Sequence, residues 1–322
     1  MEQRGLDYYD RLVDALLERG VKPTGTLYHW DLPQPLEDAG GWLERGTAEA
    51  FADYAEVVHA RLGDRVGLWA THNEPWCAAY LGYAAGVHAP GRQEGGRAHR
   101  AAHHLMLGHA LAAERLRAGS HPVDVGIVLN LAPIWAESAE AAEVADGVDA
   151  IRNRVWLDPL VDGAYDDGLL RVAPELADAE LVRPGDLERI CGSADWVGLN
   201  YYTPVRPDLP GAGKADHPEG GAYPGTAPFE LVVREPITDI GWEIDASGLD
   251  ELIVAIDGHQ AKLVSDGRLT ACRHLQAQSW LAATVRERFG RDGLRRAGGL
   301  ELAAGDSPFT RLSAILSALA AP

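Results

Sequence analysis

Apolar side chains along most of the chain follow a repeated order, in which an amphipathic helix is succeeded by a short apolar strand. Between residues 8 and 19 the apolar positions recur three and four residues apart, and Gly20 then follows as a helix stop. The next run, TGTLYHWDLP, is short, rich in aromatic and β-branched residues, and ends in polar side chains. This composition predicts a buried strand.

The same order recurs three more times. Helical patterns over residues 47–62, 97–117 and 149–157 precede the strand-like runs GLWATHNEP, DVGIVLNLAP and DWVGLNYYTP. Such alternation predicts parallel strands joined by right-handed helical crossovers, arranged either as a doubly wound sheet or as a TIM-type barrel. The sequence therefore predicts an α/β fold with about four recognisable strand–helix units.

Polar side chains at the strand ends distinguish between these two arrangements. They are His29, Trp30 and Asp31 after the first strand, Asn73 and Glu74 after the second, Asn130 after the third, and Asn200, Tyr201 and Tyr202 after the fourth. Barrel enzymes build their sites from the carboxyl ends of several different strands. No run of the GxGxxG or GxxxxGKS/T type follows any strand. We therefore predict an incomplete TIM (β/α)8-type barrel that forms a single catalytic domain across residues 1–322.

The charge balance excludes several classes of partner. The 322 residues include 29 Lys and Arg against 48 Asp and Glu, which gives a formal net charge of −19. An anionic surface repels phosphate backbones and anionic lipid headgroups, so we expect neither nucleic acid nor a membrane as a partner. The three cysteines, Cys77, Cys191 and Cys272, are spaced too widely and irregularly for a disulfide framework or a zinc site. This usage favours a reducing, cytoplasmic location.

Two later regions depart from the helix–strand order. Residues 211–228 are rich in glycine, proline and alanine, which predicts a long surface loop. From about Asp257 the pattern degrades, and the stretch that follows contains one plausible helix, over residues 273–289.

Glu74 is the candidate for proton transfer. It lies in THNEP, where the predicted strand ends and Pro75 forces a turn. Glycosidic bonds are usually cleaved by two carboxyl groups, of which one protonates the leaving oxygen and the other stabilises or attacks the sugar carbon. The alternative is a surface glutamate at a strand end, which would be the commoner case for a glutamate before proline.

The residues around Glu74 resemble a known family. Asn73-Glu74-Pro75, preceded by Trp69 and Thr71 and followed by Gly82, Gly86, His88, Ala89 and Pro90, is similar to a motif of the family 1 glycoside hydrolases, the β-glucosidase family. The upstream run GLDYYDRLVDALLERGVKPTGTLYHWDLPQPLEDAGGWL and the downstream runs AHHLMLGHA, DWVGLNYYTP and ITDIGWEIDASGLDEL resemble that family too. The resemblance implies a TIM barrel, retaining hydrolysis of a small β-glycoside or oligosaccharide, and no cofactor.

The resemblance also implies roles for individual residues. Glu74 matches the general acid/base and Asn73 the amide that hydrogen-bonds the sugar 2-hydroxyl. His29 and Trp30 match residues on the side of the 3- and 4-hydroxyls, whereas His29 taken alone would more often be structural. Tyr202 matches the tyrosine that orients the nucleophile, and Asn200 lies beside it. Trp30 and, less firmly, Trp76 are expected to form an aromatic wall.

A histidine-rich helix is the candidate for a metal site. His99 and His103 lie four residues apart on one helical face, with His104 and His109 nearby. No HExxH glutamate lies between them, and the family carries a similar helix without metal. We therefore expect no metal.

The chain departs from the family pattern at both ends. Members carry two further strand–helix units upstream, so we expect a chain truncated at its N-terminus. Their nucleophile lies in a Thr-Glu-Asn-Gly motif that does not occur here, and Asp257 is the nearest acidic residue to its expected position. Residues 1–256 thus resemble the family, and residues 257–322 form a divergent tail. A shifted reading frame is one hypothesis for this tail, and the gene sequence would test it.

These departures leave two hypotheses. The chain is either a β-glucosidase-type hydrolase of carbohydrate metabolism or a catalytically inactive, weakly glycoside-binding fragment of the same family. An incomplete barrel would also expose strand edges through which two copies could self-associate.

Overall fold

A four-stranded parallel sheet lies at the centre of the computed structural model, which describes residues 2–211, 220–253 and 255–256. Its strands are β1 (Gly25–Tyr28), β2 (Leu68–Asn73), β3 (Asp124–Asn130) and β4 (Trp196–Asn200). They pair in the order of the chain, β1-β2-β3-β4. This order is that of consecutive barrel strands, since a doubly wound sheet reverses its order at a switch point.

Helices connect the strands and cover the sheet. They are α1 (Gln3–Glu18), α2 (Gln34–Asp38), α3 (Arg45–Leu62), α4 (Ala98–Ala118), α5 (Ala142–Asp149), α6 (Val155–Val161), α7 (Asp167–Val172) and α8 (Asp186–Ile190). Two π-helical segments, Cys77–Ala84 and Ala150–Arg154, follow β2 and α5. A two-stranded antiparallel ribbon of β5 (Arg206–Asp208) and β6 (Glu230–Val232) comes after β4.

Helix α4 is buried on most of its surface, which its sequence permits because small side chains dominate it. Gly108 lets the Trp42 ring approach α4 closely, since a Cβ at this glycine would meet that ring at 3.2 Å. The histidines of α4 are buried with the alanines and leucines. Helix α4 therefore forms part of the core rather than a solvent-facing cover.

An ion pair fixes the start of α3 against α8. The Arg45 guanidinium donates two hydrogen bonds of 2.7 Å to the Asp186 carboxylate, and His103 lies 3.1 Å from the same carboxylate. Burial alone would raise the pKa of Asp186, but the hydrogen bonds from Arg45 and His103 hold it well below its usual value. Asp186 is thus a charged residue of the packing, remote in role from any reaction.

The four predicted strands agree with the observed ones, and one predicted helix differs in the third connection. There the helix predicted over residues 149–157 is divided among α5, the π-helical Ala150–Arg154 and α6. The predicted loop 211–228 was wrong in part, because Ala222 and Tyr223 are buried. Residues 257–322, with the helix predicted over residues 273–289, lie outside the described residues. The extent of the catalytic domain and self-association through β1 or β4 stay predictions.

No helix among the residues described is both long enough and apolar enough to cross a membrane.

Asp158 in α6 makes stability depend on pH. Its Oδ2 atom is buried without a hydrogen-bond partner, and burial, with repulsion from Asp166, raises the pKa of Asp158 from 3.8 to about 7. In the folded protein this carboxyl therefore keeps its proton through a range in which the unfolded chain has lost it. The free energy of unfolding should fall as pH rises through this window, from about 4 to about 7.

Replacing Asp158 by Asn is expected to remove that loss. Asp158→Asn should raise the free energy of unfolding by roughly 1–2 kcal/mol at about pH 8, a figure reduced because the carboxyl is partly solvated, and change it little near about pH 4. Urea unfolding across this pH range measures the effect. Asp239→Asn, at an exposed position, is the matched control. An equal effect of both substitutions at every pH would contradict the assignment.

Candidate active site

A cavity of about 310 Å³ opens at the carboxyl ends of the strands. Its lining includes residues that follow each of the four parallel strands, namely Trp30 after β1, Glu74 after β2, Asn130 at the end of β3 and Tyr202 after β4. The π-helical segments also contribute to the lining. Cys77 comes from the first segment and Arg152 from the second. The parallel sheet therefore brings polar groups from distant parts of the sequence into one space.

The backbone turns sharply at the ends of β1 and β2. Trp30 and Glu74 have φ angles of 74° and 49°, in the left-handed region that side chains with a Cβ rarely adopt. The register of β2 against β3 shifts between Ala70 and Asn73, and the Glu74 N–H donates to the Val128 carbonyl at 2.8 Å. Strained backbone of this kind is typical of functional positions that the surrounding structure holds in place.

The Glu74 carboxylate is buried and hydrogen-bonded at both oxygens. Oε1 accepts from Asn200 Nδ2 at 2.6 Å and from the Tyr202 hydroxyl, and Oε2 accepts from Cys77 Sγ at 3.5 Å. The side chain is 3% exposed, and no cationic side chain in the described part of the chain pairs with it. Three neutral donors thus fix the orientation of Glu74.

The hydrogen bond to Glu74 affects the pKa of the Tyr202 phenol. Burial raises the pKa of the Tyr202 phenol well above its usual value, and the hydrogen bond to Glu74 raises it further. The phenol therefore stays protonated and acts as a donor to the carboxylate.

Asn73 links the ends of β1, β2 and β4. Its Oδ1 atom accepts from Asn200 Nδ2 at 3.2 Å, and its backbone carbonyl accepts from Trp30 Nε1 at 2.9 Å. Its Nδ2 atom lies 3.4 Å from His29 Nε2. The structure therefore brings together Asn73, Glu74, Asn200 and Tyr202, with Trp30 and His29 at one side. His29 is exposed, and His29, Asn73 and Asn200 are not among the residues that line the cavity.

The two tryptophans occupy different environments. Trp30 is half-buried and lies against His88, with ring centroids 5.3 Å apart. Trp76 is buried, with the Arg152 guanidinium 3.9 Å from its ring centroid and Tyr223 at 5.6 Å. Both tryptophans line the cavity, but Trp30 is the more exposed of the two, and Trp76 is largely covered by side chains of this chain.

Sequence reasoning missed three residues of the site. Cys77 bridges Asn130 and Glu74, since Asn130 Nδ2 donates to its sulfur at 3.4 Å. The spacing of three residues between Glu74 and Cys77 was an available signal, because a helical turn after the strand brings such residues together. Asn130 had been noted only as a strand end. Arg152 gave no signal, because it lies between charged neighbours that resemble a solvated helix face.

The histidines of α4 make separate contacts. The contacts are His99 with the Tyr80 hydroxyl at 3.0 Å, His103 with the Tyr165 hydroxyl at 3.0 Å, His104 with the Trp42 carbonyl at 2.9 Å and His109 with the Thr71 hydroxyl at 2.7 Å. Burial lowers the pKa of His99 and of His104 to about 4, so both are neutral at neutral pH. Over the residues that can be described, no group of three or more His, Cys, Asp or Glu is placed to hold a metal ion.

Comparison with known proteins gives a consistent result. A family profile described as "Glycosyl hydrolase family 1" matches residues 1–263. A bifunctional β-D-glucosidase/β-D-fucosidase from Bifidobacterium breve is 42% identical over 268 residues, and a β-glucosidase from Agrobacterium sp. is 42% identical over 255. Each match covers 79% of this chain, but only 56% and 54% of these relatives. The chain therefore spans about half the length of the curated relatives it matches.

A solved structure gives the same relationship. The psychrophilic β-glucosidase BglU from Micrococcus antarcticus is 42% identical, with a TM-score of 0.72 over 79% of this chain and 56% of that one. The predicted α/β barrel class is confirmed, and the four-stranded sheet is a part of such a barrel.

The contact between Asn200 and Glu74 can be tested by replacing the Asn200 amide with a second carboxylate. At about pH 8, Asn200→Asp should lower the free energy of unfolding by about 2 kcal/mol more than Asn200→Ala does, because two buried like charges repel. This excess should shrink as pH falls and one carboxyl of the pair takes up a proton. Chemical unfolding of both variants over a pH series measures it. If the two variants are equally stable at every pH, the two side chains are not in contact.

Proposed function

This chain belongs to glycosyl hydrolase family 1, and on that premise we propose that it carries the acid/base half of a β-glycoside hydrolase site, with Glu74 as the proton donor. The observation that carries the proposal is the Glu74 carboxyl, buried at the end of β2 and facing a cavity that could admit a sugar. The whole protein would hydrolyse β-linked glycosides, with retention of configuration.

Glu74 is favoured over the other carboxylate of the cavity. Glu243 also lines the cavity, but Arg206 holds both of its oxygens, with Nε 3.0 Å from each. A carboxylate neutralised by a guanidinium is a poor proton donor and a poor nucleophile. Glu74 has only neutral donors among the described residues.

The groups beside Glu74 suit a neutral, hydroxyl-covered ring. Asn73 and Asn200 offer amides and Tyr202 a phenol, all directional partners for hydroxyl groups. The exposed His29, which lies 3.4 Å from Asn73, offers an imidazole outside the cavity lining. We propose that Asn73 hydrogen-bonds the sugar 2-hydroxyl and that His29 and Trp30 bind on the side of the 3- and 4-hydroxyls. Asn200 and Tyr202 would hold Glu74 in place, and Tyr202 would also orient the nucleophile.

Retaining hydrolysis needs a second carboxylate about 5 Å from the first. The sequence contains no Thr-Glu-Asn-Gly motif, and Asp257, the acidic residue nearest to its expected position, lies outside the described residues. Two alternatives therefore remain for this chain, namely hydrolysis of β-glycosides and weak binding of them without turnover. The next experiment distinguishes between them. A cytoplasmic location and a role in carbohydrate metabolism stay predictions.

Hydrolysis of two β-glucosides with different leaving groups tests the role of Glu74. An alkyl leaving group must be protonated as it departs, whereas a nitrophenyl group needs little help. Glu74→Gln should therefore slow hydrolysis of an alkyl β-glucoside by about 100-fold or more. Hydrolysis of a nitrophenyl β-glucoside by the same variant should be slowed less. Initial rates of glucose and nitrophenol release measure this difference.

Glu56→Gln is the matched control, because Glu56 lies on the surface in an ion pair with Arg115. It should leave both rates unchanged, and Asp257→Asn would show whether that residue supplies the second carboxylate. An equal loss of kcat/KM with both leaving groups, measured at substrate concentrations well below KM, would contradict proton donation by Glu74. A folded chain that turns over neither substrate, yet binds a β-glucoside, would favour the binding alternative.

A further inference from the structure

Arg152 is a buried cation in the wall of the cavity. It lies in the π-helical segment Ala150–Arg154, it is 7% exposed, and its Nε atom is buried without a hydrogen-bond partner. Its guanidinium lies 3.9 Å from the centroid of the Trp76 ring. Within the part of the chain described, no carboxylate forms an ion pair with it.

The neighbouring arginines are all neutralised. Arg206, on the same cavity, has Glu243 as a partner at 2.8 Å. Arg154, two residues away, pairs with three aspartates, Asp146, Asp149 and Asp166, at 2.6–3.0 Å. Burial of a charge without an opposite charge is costly, so proteins rarely retain it without a function. Arg152 is thus distinguished by its burial, its position on the cavity and its lack of a carboxylate.

The contact with Trp76 determines which part of the guanidinium remains for a ligand. Stacking on an aromatic face occupies the flat surface of the group and leaves the N–H groups at its edge. A planar carboxylate matches that edge with two parallel hydrogen bonds. A carboxylate is therefore one ligand class that this edge fits.

The residues proposed for the sugar do not include Arg152, which leaves the leaving-group end of the substrate for the carboxylate. The sugar, by the proposal above, lies against Trp30 and Asn73 beside Glu74. Arg152 lines the same cavity together with Leu81 and Trp242, which are suited to an apolar leaving group. We propose that Arg152 binds a carboxylate on the leaving group, so that the substrates are β-glycosides of carboxylic acids, such as hydroxybenzoates. This inference rests on the proposed function.

Binding measurements separate this inference from catalysis. The probes are para-carboxyphenyl β-glucoside and its neutral para-carbamoylphenyl counterpart, with benzoate and benzamide as the corresponding pair without sugar. By calorimetry, the chain should bind the carboxylate of each pair at least about tenfold more tightly than the amide. Arg152→Gln should abolish that preference and leave the affinity for the amides unchanged. Arg152→Lys, which keeps the charge but not the planar edge, should retain a smaller preference.

Arg115→Gln, which removes an exposed surface arginine, is the matched control and should leave both affinities unchanged. Equal affinity of the parent chain for carboxylate and amide would overturn the inference. So would a preference that survives in Arg152→Gln. The parent chain could also bind neither glucoside and still prefer benzoate to benzamide in a way that depends on Arg152. That result would support the carboxylate site and contradict the proposed glycoside function. If Arg152→Gln does not fold, Arg152→Lys decides, because a preference equal to that of the parent would exclude bidentate binding.

Discussion

The alignment of parallel strands β2, β3 and β4 is the constraint on which the rest of the site depends. It sets the ends of β2 and β4 at the same edge of the sheet, so that Asn200 can donate to Glu74 across 126 residues of sequence. A shift of β4 by one residue would turn the Asn200 side chain to the opposite face. Glu74 would then be a buried carboxylate without its hydrogen bond from Asn200.

The scaffold behind the sheet contains buried polar side chains, several of which contact one another. Arg45 and Asp186 form an ion pair that His103 also contacts, and the His109 ring lies 2.7 Å from the hydroxyl of Thr71, two residues before Asn73. Buried polar groups that find partners fix the packing in one arrangement, because any displaced partner would leave an unsatisfied group. The rigidity of the strand ends therefore derives partly from α4, whose histidines serve structure.

The ionisable side chains of the cavity fall into two groups, those that form an ion pair and those that do not. Arg206 and Glu243 neutralise each other, whereas Glu74 and Arg152 each face the cavity without an ion-pair partner in the chain as described. Groups that are buried without charge partners are the ones whose environment a ligand can change most. A carboxyl with neutral donors suits proton exchange, and a stacked arginine with free edges suits binding of an anion.

The sequence by itself determined the helix–strand alternation, the barrel class and the polar strand ends, because hydrophobic periodicity and local strand chemistry are properties of neighbouring residues. Through its resemblance to a known family it also indicated Asn73, Glu74, Asn200 and Tyr202 as one group. Only the tertiary structure decided which side chains meet. The bridge through Cys77, the covering of Trp76 by Arg152 and the exposure of His29 depend on strand register and on π-helical turns. These arise from packing between segments far apart in sequence, for which no local pattern exists.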